Sequence, residues 1–388
     1  MPEQLANKGY FAIKKQSAKA TAVIPNVYIP LYDESFATDV ALDEDNPIIG
    51  NKAVRFQTLL GMRNHQGEAT LLAEPNTAGY LFDMFLTKGS TTGSDPYTHP
   101  FTASLTTDPN AYTIDIQKGR VVERYFGCEI SEIEPDFDDN KMVLKSKFSA
   151  LGSFIAREIA SVSTATVTLK TNYDPTPTTG LVAGDIMTIY DVSAGTYENL
   201  TVSSLTATTI VFTASPTGVV AGDIVFIRAA TPSLSLKTPF LWSRTEFRFG
   251  VDISAALSAT QTRVEQGSKW TLKHMFESDE GAQRSGAHDP AALVRTQVDY
   301  EVELKQFFDA PEDMNRFLTN AEKVMIIRHF SETGYELRIT LNSAKFQEHP
   351  VPMKSGEILY AEGKLIGQYD ATDAAMFDVK VLNGVATI

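Results

Sequence analysis

The chain has 388 residues, a formal net charge of −14, 43% hydrophobic residues and a single cysteine. This length predicts two or three domains with sizeable cores, and the apolar share excludes a chain that is disordered throughout. The acidic balance disfavours proteins that grip nucleic acid through its phosphates, because such binding depends on Lys and Arg displacing counterions. Cys128 cannot form an internal disulfide, which is typical of chains folded in a reducing cytoplasm, and we expect it to be a small buried residue.

The N-terminal residues, MPEQLANKGYFAIKKQSAKA, lack the apolar core of a signal peptide. No apolar run in the sequence reaches the length of a membrane-spanning helix. We therefore expect neither conventional secretion nor membrane insertion.

Two candidate strands, Tyr10–Ile13 and Val27–Leu31, precede an acidic stretch from Asp33 to Pro47. Stretches of this length without obvious secondary structure are usually functional arms or disordered segments. A polar stretch rich in small residues, Ser254 to Pro290, takes a matching place later in the chain. We predict that both are arms that reach toward neighbouring molecules. The candidate contact residues of the first arm are Asp33, Asp39, Asp43, Glu44 and Asp45.

The segment from Pro96 to Gly152 alternates apolar and polar residues and is rich in β-branched and aromatic side chains. Breaks at Pro109-Asn110 and Glu134–Asp136 predict several strands joined by turns. A short helix is predicted upstream, from Asn76 to Lys88, because Pro75 precedes it and Gly89 follows it.

Four features of this region recur in the same order near the C-terminus, which predicts an internal duplication. The matched segments are Glu68–Ala73 with Val298–Phe307, the helix end Phe85–Thr87 with Phe317–Thr319, Tyr112–Ile116 with Tyr335–Ile339, and Met142–Gly152 with Glu357–Gly367. The predicted organisation is a first unit over residues 1–161, an inserted module over 162–231 and a second unit over 232–388.

The inserted module differs from the flanking units in composition, because it is rich in Thr, Val, Ser and Gly and lacks His, Trp and Cys. Within it, Gly180–Ile189 is echoed by Gly218–Ile227, and each copy places a Gly-Asp turn before a strand. We expect a small all-β module, either immunoglobulin-like or a barrel, that projects from the surface because insertions are best tolerated at exposed loops.

Motifs for catalysis or metal binding are absent from the sequence. The stretch Asp136–Asn140 begins like a calcium loop, but Lys141 and Lys147 stand where that loop needs Gly and Glu. Ser285, His288 and Asp289 are too close on one loop to form a working triad. The histidines do not occur in metal-ligand pairs: His65, His99, His274, His288, His329 and His349. We predict no catalytic residue, no cofactor and no metal site.

The strand Val298–Phe307 has a directional pattern. Its apolar face carries Val298, Tyr300, Val302 and Leu304, and its other face carries Asp299, Glu301 and Glu303. The acidic face is either the solvated side of a sheet or a surface turned toward a channel that must not bind DNA.

The order of elements resembles the tail tube proteins of long-tailed, non-contractile bacteriophages. The residues that carry the resemblance are Tyr97-Thr98-His99-Pro100-Phe101, Arg124 followed by Phe126-Gly127-Cys128-Glu129-Ile130, and the strand that ends at Gly152. It covers roughly residues 1–161 and 232–388, and the second unit has Ser343-Ala344 in place of the Gly-Cys pair.

The resemblance implies a mainly β fold with few short helices, in which a tail-tube β-sandwich or half-barrel is duplicated. It further implies a virion protein, assembled in the host cytoplasm, whose rings stack helically into a tube for DNA ejection. Two units per chain would give three chains per ring with pseudo-sixfold symmetry. The two predicted arms would then form the contacts between successive rings, and the inserted module would lie on the exterior of the tube. The implied partners are other copies of the chain, tape-measure and tail-end proteins, and genomic DNA that passes an acidic lumen lined by Asp299, Glu301 and Glu303 without specific binding.

Two other interpretations remain open at this point. The first is a β-rich adhesin or carbohydrate-binding protein that binds sugars through aromatic residues of the inserted module: Tyr173, Tyr190, Tyr197, Phe212 and Phe226. The second is a β-rich hydrolase that uses two carboxylates across a cleft.

Overall fold

The computed structural model describes residues 9–45, 57–104, 107–171, 174–234, 237–276, 289–308, 311–332, 334–353, 355, 358–371 and 375–388. Within these residues the chain is mainly β, as predicted, with a few short helices. The elements fall into a first unit, a small inserted barrel and a second unit.

The first unit contains thirteen elements of the described chain. They are β1 Phe11–Lys15, β2 Val27–Ile29, β3 Leu31–Glu34, β4 Ala37–Asp45, β5 Gln57–Leu72, α1 Pro75–Phe85, β6 Thr87–Lys88, β7 Thr92–Gly93, β8 Tyr97–Thr102, β9 Tyr112–Lys118, β10 Val121–Asp138, β11 Lys141–Ala150 and β12 Gly152–Phe154. Three expectations are wrong here. The acidic arm is strand β3 and strand β4, β10 continues through Glu134–Asp136, and the helix ends at Phe85 because Leu86 is already extended.

The inserted module is a closed six-stranded barrel, because each strand pairs with two others in the order β13, β14, β17, β16, β15, β18 and back to β13. Its strands are β13 Ala156–Ser163, β14 Thr166–Leu169, β15 Ile186–Asp191, β16 Thr196–Leu205, β17 Thr209–Phe212 and β18 Ile224–Arg228. The predicted boundary at residue 162 therefore cuts its first strand. The two sequence echoes become adjacent strands, with Ile189 opposite Val225.

The second unit contains the remaining described elements. They are β19 Leu241–Gly250, α2 Ile253–Ser258, β20 Lys269–Phe276, β21 Arg295–Phe307, α3 Glu312–Leu318, β22 Lys323–Phe330, β23 Glu336–Glu348, β24 Tyr360–Gly367 and β25 Phe377–Asn383. The prediction that the second arm, Ser254 to Pro290, is a loop is also wrong, because its described part contains most of α2 and all of β20. Residues 277–288 of that arm lie outside the described ranges.

The two units repeat one strand order. In the first unit, hydrogen-bonded neighbours run β1, β9, β10, β11, β5, β4. In the second unit they run β19, β22, β23, β24, β21, β20. Helix α1 lies between β5 and β9 in the chain, apart from the short strands β6 to β8, and α3 lies between β21 and β22. The predicted duplication is therefore visible as topology.

Register irregularities fix the residue equivalence between the long strands β10 and β23. The pairing of each long strand with its first neighbour contains one register shift, and its pairing with its second neighbour contains another. The residues that flank these shifts are separated by the same number of positions in the two strands. The equivalent pairs are Tyr125 and Leu341, Cys128 and Ala344, Ile130 and Phe346, and Glu132 and Glu348. Gly127-Cys128 thus matches Ser343-Ala344, as the sequence predicts. The match of Tyr112–Ile116 with Tyr335–Ile339 is wrong by one strand, because β9 corresponds to β22.

The long strand of each unit, β10 or β23, changes its pairing partner about halfway along its length. The first half of β10 pairs with β9 and the second half with β11, and the change follows Gly127, whose φ of +63° is open to glycine at little cost. One continuous apolar core includes residues of both units, among them Phe11, Phe148, Phe247 and Trp270.

The units are also joined strand to strand. Strand β20 of the second unit pairs with the second half of β10, and the ring β11, β10, β20, β21, β24, β23, β22, β19 closes through one pair between Lys141 and Leu241. A second connection pairs β25 with β8 of the first unit. The chain therefore contains a closed eight-strand barrel built from both units.

Candidate assembly edges and charged sheet face

The junction between the units lies where β20 pairs with the edge of β10 that is not paired with β11. Glu132 is opposite Lys273 and Ile133 is opposite Leu272. Ile133 and Leu272 are fully buried, so the contact combines backbone pairing with apolar burial. Nearby, Lys269 Nζ lies 3.2 Å from Glu134 Oε1, which adds an ion pair across the junction.

Two sheet edges that correspond to this junction have no strand partner within the described residues. Strand β4, the counterpart of β20, pairs only with β5. The second half of β23, the counterpart of the second half of β10, pairs only with β24. The first half of β23, in contrast, is paired on both sides, by β22 and β25. An unpaired strand edge presents free N–H and C=O groups and is a template for another strand.

The edge of β4 also exposes apolar side chains. Val40 is 39% exposed and Leu42 is 62% exposed. Of the predicted arm residues, Asp33 accepts a hydrogen bond from the Glu34 N–H, and Asp39 is exposed. The side chains of Asp43, Glu44 and Asp45 lie outside the described part of the structure. The structure thus places these residues on or beside a sheet edge, where the sequence predicted a loop.

The predicted acidic strand β21 has the expected two faces. Tyr300, Val302 and Leu304 are buried, and Asp299, Glu301 and Glu303 point to the other side of the sheet. Whether these three carboxylates line a channel stays a prediction. The sequence missed the lysines that the neighbouring strands bring beside them.

Lysine-bearing strands alternate with acidic strands across this face, and we call this arrangement the charge ladder. Its members, in sheet order, are Lys145 and Lys147 of β11, Glu132 and Glu134 of β10, Lys269 and Lys273 of β20, Asp299, Glu301 and Glu303 of β21, and Lys364 of β24. Lys147 Nζ is 3.0 Å from Glu132, Lys269 Nζ is 3.9 Å from Glu303 and Lys364 pairs with Glu301. Each lysine of the charge ladder therefore lies within ion-pair distance of a carboxylate.

A buried ion network joins the inserted barrel to the first unit. Arg124 Nε donates to Asp115 Oδ1 at 2.7 Å, and its Nη1 donates to Asp185 Oδ2 of the barrel at 2.7 Å. Burial raises the pKa of Asp115, and Arg124 opposes this shift. Burial disfavours the charged form of Arg124, but the two carboxylates outweigh it and raise its pKa.

The barrel also shares apolar contacts with the first unit, because its core cluster includes Tyr10, Ala12, Val122 and Phe154. Strand β18 pairs with the start of β10 as well. The module is therefore anchored by shared core, strand pairing and ion pairs, and not only by its two chain connections.

The remaining candidate residues do not form a catalytic arrangement within the described chain. Asp289 accepts a hydrogen bond from His65 Nε2 at 3.1 Å, and Ser285 and His288 lie outside the described residues. Asp136 pairs with Lys145, whose hydrogen bond lowers the pKa of the carboxyl. No cluster of metal-ligating side chains occurs among the residues that the structure describes.

Aromatic residues of the inserted barrel are poorly placed for stacking on a sugar. Phe212 and Phe226 are buried, and Tyr173 is outside the described residues. Tyr197 stacks on Tyr190 at a ring-centroid distance of 4.8 Å. The guanidinium of Arg120 also lies over the Tyr197 ring, 4.6 Å from its centroid. The exposed ring is thus already engaged by two neighbours.

Cys128 is fully buried, as predicted, and burial raises the pKa of its thiol well above the usual value.

Among the described residues, no helix combines the length and hydrophobicity required to cross a bilayer.

No protein-family model matches the chain, and a search of curated proteins finds no significant match.

Proposed function

We propose that this protein is a structural subunit that associates edge to edge into stacked rings, and so forms a hollow tube of the kind found in the tails of long-tailed, non-contractile bacteriophages. The observation that carries the proposal is the junction between β10 and β20. One chain already joins two units of the same strand order through a sheet edge, and the two corresponding edges, β4 and the second half of β23, lack a strand within the described residues.

Edge pairing of this type is heterologous, because the two contacting edges differ. Such contacts close into a ring when the rotation between subunits allows it. Two units per chain favour three chains per ring with pseudo-sixfold shape. Tape-measure and tail-end proteins would be the partners within a virion tail, and genomic DNA would pass through the bore.

The charge ladder suits the wall of such a bore. A passing polyanion is held where free lysines can neutralise its phosphates and displace the counterions bound to them. Here Lys147, Lys269 and Lys364 each contact a carboxylate of a neighbouring strand. A face of this kind offers DNA no unpaired basic patch, and the chain as a whole carries a net charge of −14.

Negative-stain electron microscopy of the purified protein tests the proposal. We expect stacked rings or tubes about ten nanometres across, the order expected for six small domains around a bore. Sedimentation velocity across a wide concentration range provides the second measurement. A monodisperse monomer at high concentration would contradict the proposal.

A further inference from the structure

We infer that strand β4 of one copy pairs antiparallel with the second half of β23 of the next copy, with Asp39 opposite Glu348 and Thr38 opposite His349. This inference rests on the proposed self-assembly and specifies which strands and which residues meet. It takes the internal junction between β20 and β10 as the template.

The β20 residues at the junction, Leu272 and Lys273, have counterparts on β4. Leu272 and Lys273 are opposite Tyr300 and Asp299 of β21. Thr38 and Asp39 hold the same places on β4, opposite His65 and Asn64 of β5. Strands β5 and β21 can be aligned residue by residue because β5 pairs with β11 and β21 pairs with β24, and β11 and β24 are equivalent strands.

The β10 residues at the junction, Glu132 and Ile133, have counterparts at the end of β23. Glu132 follows the irregularity of β10 that begins at Ile130, and Glu348 follows the irregularity of β23 that begins at Phe346. Glu132 is opposite Lys147 of β11, and Glu348 is opposite Lys364 of β24. Glu348 therefore takes the place of Glu132, and His349 takes the place of Ile133.

Both proposed edges can be reached from solvent. Asp39 and Glu348 are exposed, and β4 shows its apolar Val40 and Leu42 beside the proposed contact. His349 is buried beneath the edge, where its ring packs against Phe346 at a centroid distance of 5.1 Å. The apolar residues of β4 would lose solvent contact on pairing, which favours association.

The two junctions differ in charge. Inside the chain Glu132 faces Lys273, whereas between copies Asp39 would face Glu348. Like charges directly opposite each other on a sheet destabilise the pair. The junction between copies is therefore the weaker of the two. Asp39→Lys restores the charge pattern of the internal junction and should lower the concentration needed for assembly by about 3- to 10-fold.

Disulfide trapping tests the register. Residues opposite each other on antiparallel strands have Cα atoms about 4.5 to 5.5 Å apart, within the range that a disulfide spans. The variant with Asp39→Cys and Glu348→Cys should form covalent dimers and larger oligomers on mild oxidation. The buried thiol of Cys128 will not interfere.

The matched control combines Asp39→Cys with Glu362→Cys. Glu362 is also exposed, but it lies on β24, on the far side of β23 from the proposed contact. Two strand spacings, roughly 10 Å, would separate the control pair, which is too far for a disulfide.

The outcomes separate this inference from the proposed function. Covalent oligomers from the first pair alone support the register. Rings or tubes without that cross-link, or equal cross-linking of both pairs, overturn the register and leave self-assembly standing. A protein that stays monomeric by sedimentation overturns both.

Discussion

At the scale of single residues, Gly127 shows why the two copies of one motif need different side chains. Its φ is +63°, and a Cβ at this position would lie 2.7 Å from the Leu151 side chain. The Gly127 N–H also donates to Gln16 Oε1 at 2.8 Å. The counterpart in the second unit is Ser343, which is not among the described residues of positive φ. Gly127 is thus a backbone requirement of the first unit only.

We predict that Gly127→Ala lowers the free energy of unfolding by roughly 2–3 kcal/mol, because it adds backbone strain and a steric clash at a buried site. The control is Ser343→Ala. The Ser343 hydroxyl has no hydrogen-bond partner within the described structure, so its loss should change stability by less than about 0.5 kcal/mol. Urea unfolding of both variants checks the difference, and equal losses would refute the strain argument.

His329 gives the chain a pH-dependent contribution to stability. It is fully buried, its Nε2 accepts a hydrogen bond from Trp270 Nε1 at 3.0 Å, and its Nδ1 contacts Thr245 Oγ1 at 2.9 Å. Burial lowers its pKa from 6.5 to about 3. The folded state therefore holds the ring neutral, whereas the unfolded chain takes up a proton below pH 6.5. Stability attributable to this group is present at neutral pH and falls as the pH drops from 6.5 toward 3.

We predict that His329→Gln flattens the pH dependence of unfolding. In the wild-type chain His329 should contribute up to about 1.4 kcal/mol per pH unit between pH 6 and pH 4. The variant should lose that slope, whatever its stability at pH 7. Chemical unfolding of both proteins at several pH values provides the measurement, and since the carboxylates are common to both, their titration cancels. Parallel curves would mean that His329 does not titrate on unfolding.

At the scale of elements, local patterns in the sequence predict which face of a single strand is buried. The period of two in β21 correctly separates Tyr300, Val302 and Leu304 from Asp299, Glu301 and Glu303. The same local patterns do not predict which distant strands pair with each other. Nothing near β21 in the sequence indicates that Lys269 of β20 and Lys364 of β24 border its acidic face, because cross-strand register depends on the whole sheet.

The acidic arm shows the same limit. Its carboxylates and proline predict a loop, yet Ala37–Asp45 forms a strand because β5 supplies a backbone ladder along most of its length. Strand formation depends more on tertiary context than on the composition of the segment. The repeated strand order was predictable only where side chains recur, as with Gly127-Cys128 and Ser343-Ala344. The β9 match failed because a short alternating pattern fits many strands.

The inserted barrel gives a prediction at this scale, because Arg124 of β10 bridges Asp115 of β9 and Asp185 of the barrel. Arg124→Met leaves two buried carboxylates without their cation and should cost about 3–5 kcal/mol of unfolding free energy. The triple variant Arg124→Met, Asp115→Asn, Asp185→Asn removes the charges together and should recover most of that loss. Urea unfolding compares the two. A triple variant no more stable than the single one would show that the network acts through packing.

At the scale of the whole molecule, the two edges without a strand partner in the described chain, β4 and the second half of β23, predict how two blocked variants should complement each other. Ala41 of β4 and Gln347 of β23 have no partner in the ladders of their own sheets, so proline should be tolerated there within one chain. Each proline removes an N–H and adds a ring beside the proposed contact, and so blocks one edge of the molecule.

We predict that Ala41→Pro and Gln347→Pro each fail to form rings, and that an equimolar mixture of the two gives dimers and nothing larger. In the mixture, β4 of the Gln347→Pro copy can pair with β23 of the Ala41→Pro copy, and the edges that remain are both blocked. The matched control is Ser203→Pro, at an exposed unpaired position of the inserted barrel, which should assemble like the wild-type chain. Sedimentation velocity measures the oligomers. Dimers from either variant alone would point to a symmetric contact, because only a head-to-tail junction needs two different edges.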